Sequence, residues 1–248
     1  MRPSLLRRLA GTLRRGGVRG LLLAALRRTV YGHVVLIERD LREDKPLPRS
    51  DLPIEVRGLR SEDVSAYARS HPNPPEELLR RMERGSHCHA AWHSGDIVSA
   101  TWWHPGEAWI EDLDRRFQLR AGEVYFYDAW TLPRLRGRNI TPVRSGLTLR
   151  ALGEQGFVRA IAFVLPENRP IHKAVEKVGW RRFGTAGFVR IGPARIEFVR
   201  ALGRTWWRAR RRRTEAGGEP PPAEPGFALS RAERGERFGR GRGPQSFA

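Results

Sequence analysis

Residues 124–142 decide the fold, and they read VYFYDAWTLPRLRGRNITP. The first nine residues are rich in aromatic and β-branched side chains, which predicts a strand over Val124–Leu132. Pro133 ends that strand, and a short basic turn follows it. A helix is predicted over Thr141–Gln155, because Pro142 is tolerated in a first helical turn. The stretch therefore indicates a strand, a tight loop and a helix in direct succession.

The neighbouring segments extend this pattern into an α/β domain. A further strand is predicted over Val158–Leu165 and a further helix over Asn168–Val178. Strands joined through a helix form a parallel pair with a right-handed crossover, which places this pair at the centre of the sheet. Two further helices are predicted over Glu62–Ser70 and Glu76–Arg84, and residues 104–122 are predicted to be irregular. The other predicted strands are His33–Leu41, Ile54–Leu59, Cys88–His93, Ile97–Trp103, Trp180–Thr185 and Phe188–Val199.

The loop between strand and helix has the features of an anion site. The first amides of a helix have no intrahelical acceptor, and the helix dipole is positive at that end. Arg136 and Arg138 add positive charge, and Gly137 lets the backbone approach a bulky ligand closely. A pyrophosphate group fits such a loop.

These residues resemble the pyrophosphate loop of the GNAT superfamily of acyl-CoA N-acyltransferases. In that family the loop follows the fourth core strand as Gln/Arg-x-x-Gly-x-Gly/Ala, often with an additional glycine, and Arg136 and Gly137 match the first residue and that glycine. The family's downstream Asn, followed by a helix that ends in Lys-x-Gly-Phe, is similar to Asn168 and to residues 177–180. The likeness covers residues 34–202 and excludes both ends of the chain.

The resemblance implies a fold and a ligand. The fold is a GNAT-like mixed, mostly antiparallel sheet of about seven strands, with a central parallel pair splayed at the cofactor site and about four flanking helices. The implied co-substrate is acetyl-CoA, the implied acceptor is an amine of unknown identity, and no metal is implied. The implied cofactor contacts are Trp130, Leu132, Arg136, Gly137, Arg138, Asn139, Ile140, Thr141 and Asn168.

Three positions depart from the family pattern. Asn139 replaces the middle glycine, and the loop should still form because asparagine tolerates left-handed backbone angles. Thr141 replaces the final Gly or Ala, where it would either cap the helix and offer a hydroxyl to phosphate or crowd the cofactor. Val175 stands where many members have the tyrosine that protonates the leaving thiolate, so another group or solvent would supply that proton.

Three side chains on the predicted strand are candidates for proton transfer. The attacking amine must be neutral, so a carboxylate or a water relay should take its proton. Asp128 lies eight residues before Arg136, a register where family members often have an acid, and the resemblance makes it the first candidate base. Alternation places Tyr125 and Tyr127 together on the face opposite Asp128, where either could act as the acid. The alternative is structural, with Asp128 facing a helix and both tyrosines in the core.

The formal charge of +19 is concentrated at the two ends of the chain. Residues 1–33 contain eight arginines and no acid, in an amphipathic pattern that predicts a helical segment. That segment would either lie on an anionic membrane surface or pack on the domain. Residues 203–248 are rich in Arg, Gly and Pro and are expected to be disordered.

The composition also bears on partners and location. The chain has 43 arginines and three lysines, so a compositional bias explains the charge without selection for phosphate contacts. Nucleic acid is therefore disfavoured as a partner but stays open. We expect a cytoplasmic protein, peripheral at the inner membrane face if the N-terminal segment binds lipid.

A metal centre is not expected. Cys88 is the only cysteine, which excludes an intrachain disulfide and any multi-cysteine site. Alternation along the strand places Cys88 opposite to His87 and His89.

The expected function is acyl transfer to an amine by direct attack, most simply of acetyl from acetyl-CoA. Two alternatives stay open. One is a non-catalytic basic module of the same fold, tethered to membrane or RNA by its ends. The other is a transferase that uses a long-chain acyl-CoA or an aminoacyl-tRNA as donor.

Overall fold

The runs of aromatic and β-branched residues form a large twisted sheet. The computed structural model describes residues 31–110, 115–191, 194–201 and 204–211, the last segment as backbone only. The strands in these residues are β1 Tyr31–Asp40, β2 Glu55–Gly58, β3 His87–His93, β4 Asp96–Pro105, β5 Glu107–Ile110, β6 Arg115–Gln118, β7 Glu123–Thr131, β8 Arg159–Val164, β9 Arg181–Ile191, β10 Ala194–Ala201 and β11 Arg204–Arg211.

Nine of these strands form one mixed sheet, in the order β11-β10-β9-β1-β8-β7-β4-β3-β2, and β5 pairs with β6 in a separate hairpin. Only β7 and β8 are parallel, and every other neighbouring pair in the described sheet is antiparallel. The inferred fold class is confirmed, including the central parallel pair. The expected number of about seven strands was too low, because β11 extends one edge beyond the last predicted strand.

Four α-helices cover the two faces of the described sheet. They are α1 Val64–Ser70, α2 Pro75–Glu83, α3 Ile140–Glu154 and α4 Arg169–Glu176. Apolar residues of α3 and α4 pack with β1, β7 and β8 on one face. On the other face, α1 and α2 pack with β3 and β4, and the β5–β6 hairpin covers β1, β8 and β9. Burial on both faces explains the weak polar alternation of β8.

Two sequence predictions in this region were wrong. Residues 104–122 are not irregular, since they contain the β5–β6 hairpin, whose buried Ala108, Ile110 and Phe117 join the core. The break predicted between Thr185 and Phe188 does not exist, because β9 continues through it. The intervening glycine allows β9 to pass close to β1 and β10 rather than ending the strand.

The predicted ends of the domain also shift. Tyr31 and Gly32 begin β1, two residues before the strand predicted from His33, although they were assigned to the N-terminal helical segment. Residues 1–30 lie outside the described part of the chain. The predicted disordered tail began at residue 203, but the backbone of β11 pairs with β10 along eight residues. Its Thr205, Trp206 and Trp207 have high strand propensity. Residues 212–248 lie outside the described residues. In the described chain no helix has the length and apolar character needed to cross a membrane.

Gly187 gives a direct test of the close packing of β9. A Cβ atom added there would meet the carbonyl oxygen of Gly32 and lie 2.7 Å from Cζ of Phe198. Because backbone cannot move aside cheaply, we expect Gly187→Ala to lower the free energy of unfolding by about 1–3 kcal/mol in urea denaturation. Gly58→Ala is the matched control, since a Cβ there would have no neighbour within 4 Å. Equal stability of the two variants would contradict this packing.

Candidate functional site

A β-bulge interrupts β7 in the middle of the sheet. Trp102 of β4 faces Tyr127, and Ala100 faces Trp130, so two residues of β7 lie opposite one residue of β4. The first residue of the bulge is Asp128, whose φ of 48° is left-handed and unusual for a residue other than glycine. The bulge bends β7 and changes the direction of the side chains that follow it.

The parallel ladder between β7 and β8 ends just before the bulge. Its last pair is Phe126 with Ala162, and no later residue of β7 pairs with β8 in the described sheet. Antiparallel pairing of β8 with β1 continues up to Val164. The two central strands therefore separate, and the edge of β7 that faced β8 no longer has a strand partner. The predicted splay of the parallel pair is confirmed.

Asp128 is held by residues of α2 and of the connection before it. Its Oδ2 accepts hydrogen bonds from Arg81 Nη1 at 2.6 Å and from Asn73 Nδ2 at 3.2 Å. Arg81 Nε also donates to Glu77, and the Arg81 guanidinium lies 5.6 Å from the ring centroid of Tyr127. Asp128 and Tyr127 thus contact the same guanidinium. The prediction that they point to opposite faces was wrong, because simple alternation fails across a bulge.

An aromatic cluster surrounds Trp130 on that face. Tyr67 is fully buried. Its hydroxyl oxygen accepts hydrogen bonds from the indole N–H groups of Trp130 at 2.7 Å and of Trp102 at 3.1 Å. Burial raises the pKa of the Tyr67 phenol. The imidazole of His71 stacks on Trp130 with ring centroids 5.0 Å apart. The side chain of Trp130 is therefore fixed from two sides.

Hydroxyl groups fix β7 on the opposite face. Ser99 Oγ donates to the carbonyl of Trp130 at 2.7 Å and lies 2.8 Å from Thr131 Oγ1. Thr131 Oγ1 lies 2.8 Å from Thr141 Oγ1 at the start of α3. Thr141 therefore turns toward β7, and it neither caps the helix nor presents a free hydroxyl. The N-cap residue is Asn139.

The loop before α3 has the conformation that the sequence predicts. Gly137 and Asn139 both have positive φ, 85° and 55°. Asparagine thus adopts the left-handed angles of the glycine it replaces, as expected. Within the described residues, none of the amides from Gly137 to Thr141 donates to a backbone carbonyl. Such runs of free amides around left-handed residues form concave anion sites.

Positive charge surrounds these amides. Arg136 and Arg138 are exposed, and neither forms an ion pair with any described carboxylate. Arg136 Nε makes only a long contact of 3.4 Å to the carbonyl of Thr131. Lys177, at the end of α4, donates from Nζ to Oδ1 of Asn139 at 2.6 Å and connects the loop to that helix. The loop is therefore an electropositive surface without an internal counter-ion.

The remaining implied cofactor contacts occupy different environments. Leu132 and the buried Ile140 pack with Val98 in a small apolar cluster, so only their backbone can face a ligand. Asn168 is exposed and precedes the first turn of α4, where its carbonyl accepts the amides of residues 171 and 172. The structure thus brings the loop and the splayed end of β7 into one region, with Asn168 following β8.

The three candidates for proton transfer differ in how their polar atoms are used. Tyr125 is buried, and its hydroxyl donates to the carbonyl of Trp109 at 2.9 Å. The Tyr127 hydroxyl donates to Ser86 Oγ at 2.8 Å, and burial raises the pKa of this phenol. Val175, at the position of the tyrosine implied by the resemblance, is buried in the core.

Sequence reasoning missed Arg81, Asn73, Tyr67 and His71, and it matched Lys177 only as part of the motif at 177–180, without its contact to the loop. All five contact the predicted strand or loop from segments 38 to 63 residues away in sequence. The one local signal was the segment His71-Pro72-Asn73-Pro74-Pro75, which holds two polar residues in a rigid connection between two helices.

The histidines around Cys88 do not converge. Cys88 is buried under α1 and α2, whereas His87 and His89 stack on Trp103 on the other face. His89 Nδ1 accepts the indole N–H of Trp103, and burial lowers the pKa of His89 to about 4. Groups of three or more metal-ligating side chains are absent from the described part of the chain.

No family model matches the sequence, and no curated protein matches it. Similar solved structures include a Drosophila protein (16% identity, TM-score 0.44, 78% of this chain and 58% of that chain). They also include a GNAT-family acetyltransferase from Colwellia psychrerythraea (15% identity, TM-score 0.44, 66% of this chain and 59% of that chain). A third is a GCN5-related N-acetyltransferase from Sphaerobacter thermophilus (14% identity, TM-score 0.45, 68% of this chain and 55% of that chain).

The chain therefore resembles GNAT-family acetyltransferases of known structure, and it spans less than two thirds of the length of each of these three. Because the TM-scores are below 0.5, the likeness decides nothing about activity or ligands.

Tyr67→Phe tests the aromatic cluster. Removal of the hydroxyl leaves the indole N–H groups of Trp102 and Trp130 without their acceptor, and Trp102 is fully buried. We expect the free energy of unfolding in urea to fall by about 1–3 kcal/mol. Tyr31→Phe, at a phenol that is 41% exposed, should change it by less than about 0.5 kcal/mol. Equal effects of the two substitutions would show that the Tyr67 hydroxyl does not hold the two tryptophans.

Proposed function

We propose that this chain is an acyl-CoA-dependent N-acyltransferase that moves an acyl group, most simply acetyl, to an amine. The observation that supports this most strongly is the loop before α3. It combines free amides from Gly137 to Thr141 with the cations Arg136, Arg138 and Lys177, and no described acid neutralises the two arginines. A pyrophosphate bears the charge and the acceptor oxygens that such a loop can bind.

The position of the loop supports a long ligand rather than a free phosphate ion. It follows directly on β7, the strand that separates from β8 beyond Phe126. A pantetheine arm attached to the pyrophosphate could enter the gap and bond to the edge of β7 that β8 leaves unpaired. This would bring the thioester to the bulge at Asp128.

The implied cofactor residues take the following roles in this proposal. Arg136 and Arg138 bind the pyrophosphate through their side chains, and the segment from Gly137 to Thr141 binds it through amides. The Thr141 hydroxyl has no part in this contact, since it bonds to Thr131. The backbone of Trp130 and Leu132 and the side chain of Asn168 line the path of the arm.

The chemistry requires little beyond position and proton transfer. The amine attacks the thioester carbonyl carbon, the C–S bond breaks, and the thiolate takes a proton. Backbone amides of β7 at the gap would stabilise the oxyanion of the tetrahedral intermediate. Tyr127 is the tyrosine kept as a candidate acid, because its ring lies 5.6 Å from the Arg81 guanidinium that binds Asp128. Its hydroxyl, which donates to Ser86 Oγ in this structure, would have to turn to the thiolate. Tyr125 is not retained, because its proton is donated to Trp109 inside the core.

Asp128 remains at the reaction centre, and its first role here is to position the bulge. One carboxylate oxygen accepts hydrogen bonds from both Arg81 and Asn73, so this oxygen is used in holding the bulge. Its Oδ1 has no hydrogen-bond partner among the described residues, so it can orient an amine or ammonium group that arrives from this side.

Titration calorimetry of the full chain with acetyl-CoA tests the loop. We expect Arg138→Ala to weaken binding by about 10- to 100-fold, because a charge-assisted hydrogen bond contributes about 1.5–3 kcal/mol. Arg136→Ala should have a similar effect. Arg200→Ala removes an equal charge from an exposed position on β10 and should leave the affinity within about twofold.

Two outcomes would revise the proposal. If Arg138→Ala and Arg200→Ala weaken the binding of acetyl-CoA equally, the cofactor binds away from the loop. Normal binding without release of thiol in the presence of amines would favour the non-catalytic binding module.

A further inference from the structure

Next to the bulge lies a histidine, His71, to which the sequence assigned no role. His71 directly follows α1, and its backbone N–H donates to the carbonyl of Tyr67 at 3.0 Å. Its ring stacks on Trp130 at 5.0 Å with an interplanar angle of 24°, and it meets the ring of Tyr67 edge-on at 5.6 Å. Two residues later, Asn73 bonds to Asp128. The connection between α1 and α2 thus places an imidazole beside the splayed end of β7.

The imidazole is held by ring contacts and not by hydrogen bonds. Its Nδ1 is buried without a hydrogen-bond partner, and neither ring nitrogen bonds to any described residue. Other histidines of the chain are used structurally. His89 accepts the Trp103 indole N–H, and His172 lies 3.2 Å from the carbonyl of Leu165. His71 is therefore fixed in orientation, and Nε2, which is not among the buried unpaired atoms, is the nitrogen left for proton transfer.

The charge state of His71 suits a base. Burial lowers the pKa of the imidazole, and the nearby Arg81 guanidinium adds to this effect while the Asp128 carboxylate opposes it. The phenol of Tyr67, which also faces the ring, has its own pKa raised by burial and stays neutral. The ring is thus neutral at neutral pH, the form that can accept a proton.

The neighbouring carboxylate is less suited to this task. Asp128 Oδ2 accepts a hydrogen bond from Arg81 Nη1 at 2.6 Å, and Arg81 Nε also donates a hydrogen bond to Glu77. Protonation of Asp128 during the reaction would weaken a short ion pair that holds the bulge. Protonation of His71 breaks no hydrogen bond present in the described structure.

We propose that His71 accepts the proton of the attacking amine at the β7 bulge, and that Asp128 positions the bulge. This inference rests on the proposed acyl transfer. The amine nitrogen forms the C–N bond with the thioester carbonyl carbon and loses one proton to a ring nitrogen of His71. The C–S bond then breaks, and the thiolate receives that proton from the imidazolium, directly or through a water molecule. The products are the amide and the free thiol of CoA, with His71 neutral again.

The test compares His71→Phe with the wild-type chain. Phenylalanine can keep the stacking on Trp130 but cannot accept a proton, so folding should be retained. Release of thiol from acetyl-CoA is followed over a range of pH, with 2-phenylethylamine as acceptor and, separately, with water alone. In the wild type we expect kcat to fall as pH decreases through the His71 pKa, which lies below the usual value of about 6.5.

In His71→Phe we expect kcat to fall by about 10²- to 10⁴-fold and this acid limb to disappear. Calorimetric binding of acetyl-CoA should stay within about twofold, because the substitution does not touch the loop before α3. His71→Ala should regain activity on addition of free imidazole. His93→Phe, at the end of β3, should retain the wild-type rate and pH profile, since the His93 ring contacts the carbonyl of Pro53 and not the bulge.

The outcomes separate this inference from the proposed function. An active wild-type chain with an unchanged rate and acid limb in His71→Phe would overturn the role of His71 and leave acyl transfer standing. Absence of thiol release by the wild-type chain with both acceptors would overturn both. Loss of acetyl-CoA binding in His71→Phe would show that His71 is a structural residue.

Discussion

The left-handed backbone of Asp128 is the constraint on which the candidate site depends. A non-glycine residue in this conformation is disfavoured by about 1 kcal/mol, so the bulge persists only because its surroundings hold it. On one face Arg81 and Asn73 bind the Asp128 carboxylate, and Tyr67 fixes Trp130. On the other face, a chain of hydroxyls joins β4 and β7 to the first turn of α3. The same bonds that hold the bulge therefore also position the loop before α3.

This coupling explains how one local irregularity could produce a binding site. Strand β7 leaves β8 just before the bulge, and the loop that follows β7 presents free amides and unpaired cations. A gap with unpaired backbone lies at one end of the region, and the electropositive loop with its free amides lies at the other. A ligand with a phosphate end and a long amide-bearing arm matches both features. The aromatic face with His71 is then left for the second substrate.

Much of this site could be predicted from sequence, because its signals are local. Arg136, Gly137 and Asn139 lie within four residues, and the left-handed angle of Asn139 follows from the chemistry of asparagine. Helix α3 begins and ends within one residue of its predicted limits, and the parallel pair follows from the chain order of β7, α3 and β8. The bulge could not be foreseen, because the alternation that placed Tyr127 opposite Asp128 assumes an uninterrupted strand. Arg81 and His71 act through contacts across more than forty residues of chain, which no local pattern encodes. The roles assigned to the site residues stay predictions.

A crystal structure of the chain with CoA bound is the most direct test of this relation between bulge and loop. We expect the pyrophosphate to contact the amides from Gly137 to Thr141, with the pantetheine arm between β7 and β8 beyond Phe126. The bulge should keep Asp128 in its left-handed conformation and bonded to Arg81. A pyrophosphate bound elsewhere, or a β7–β8 ladder that closes past Phe126 with CoA outside it, would contradict this account.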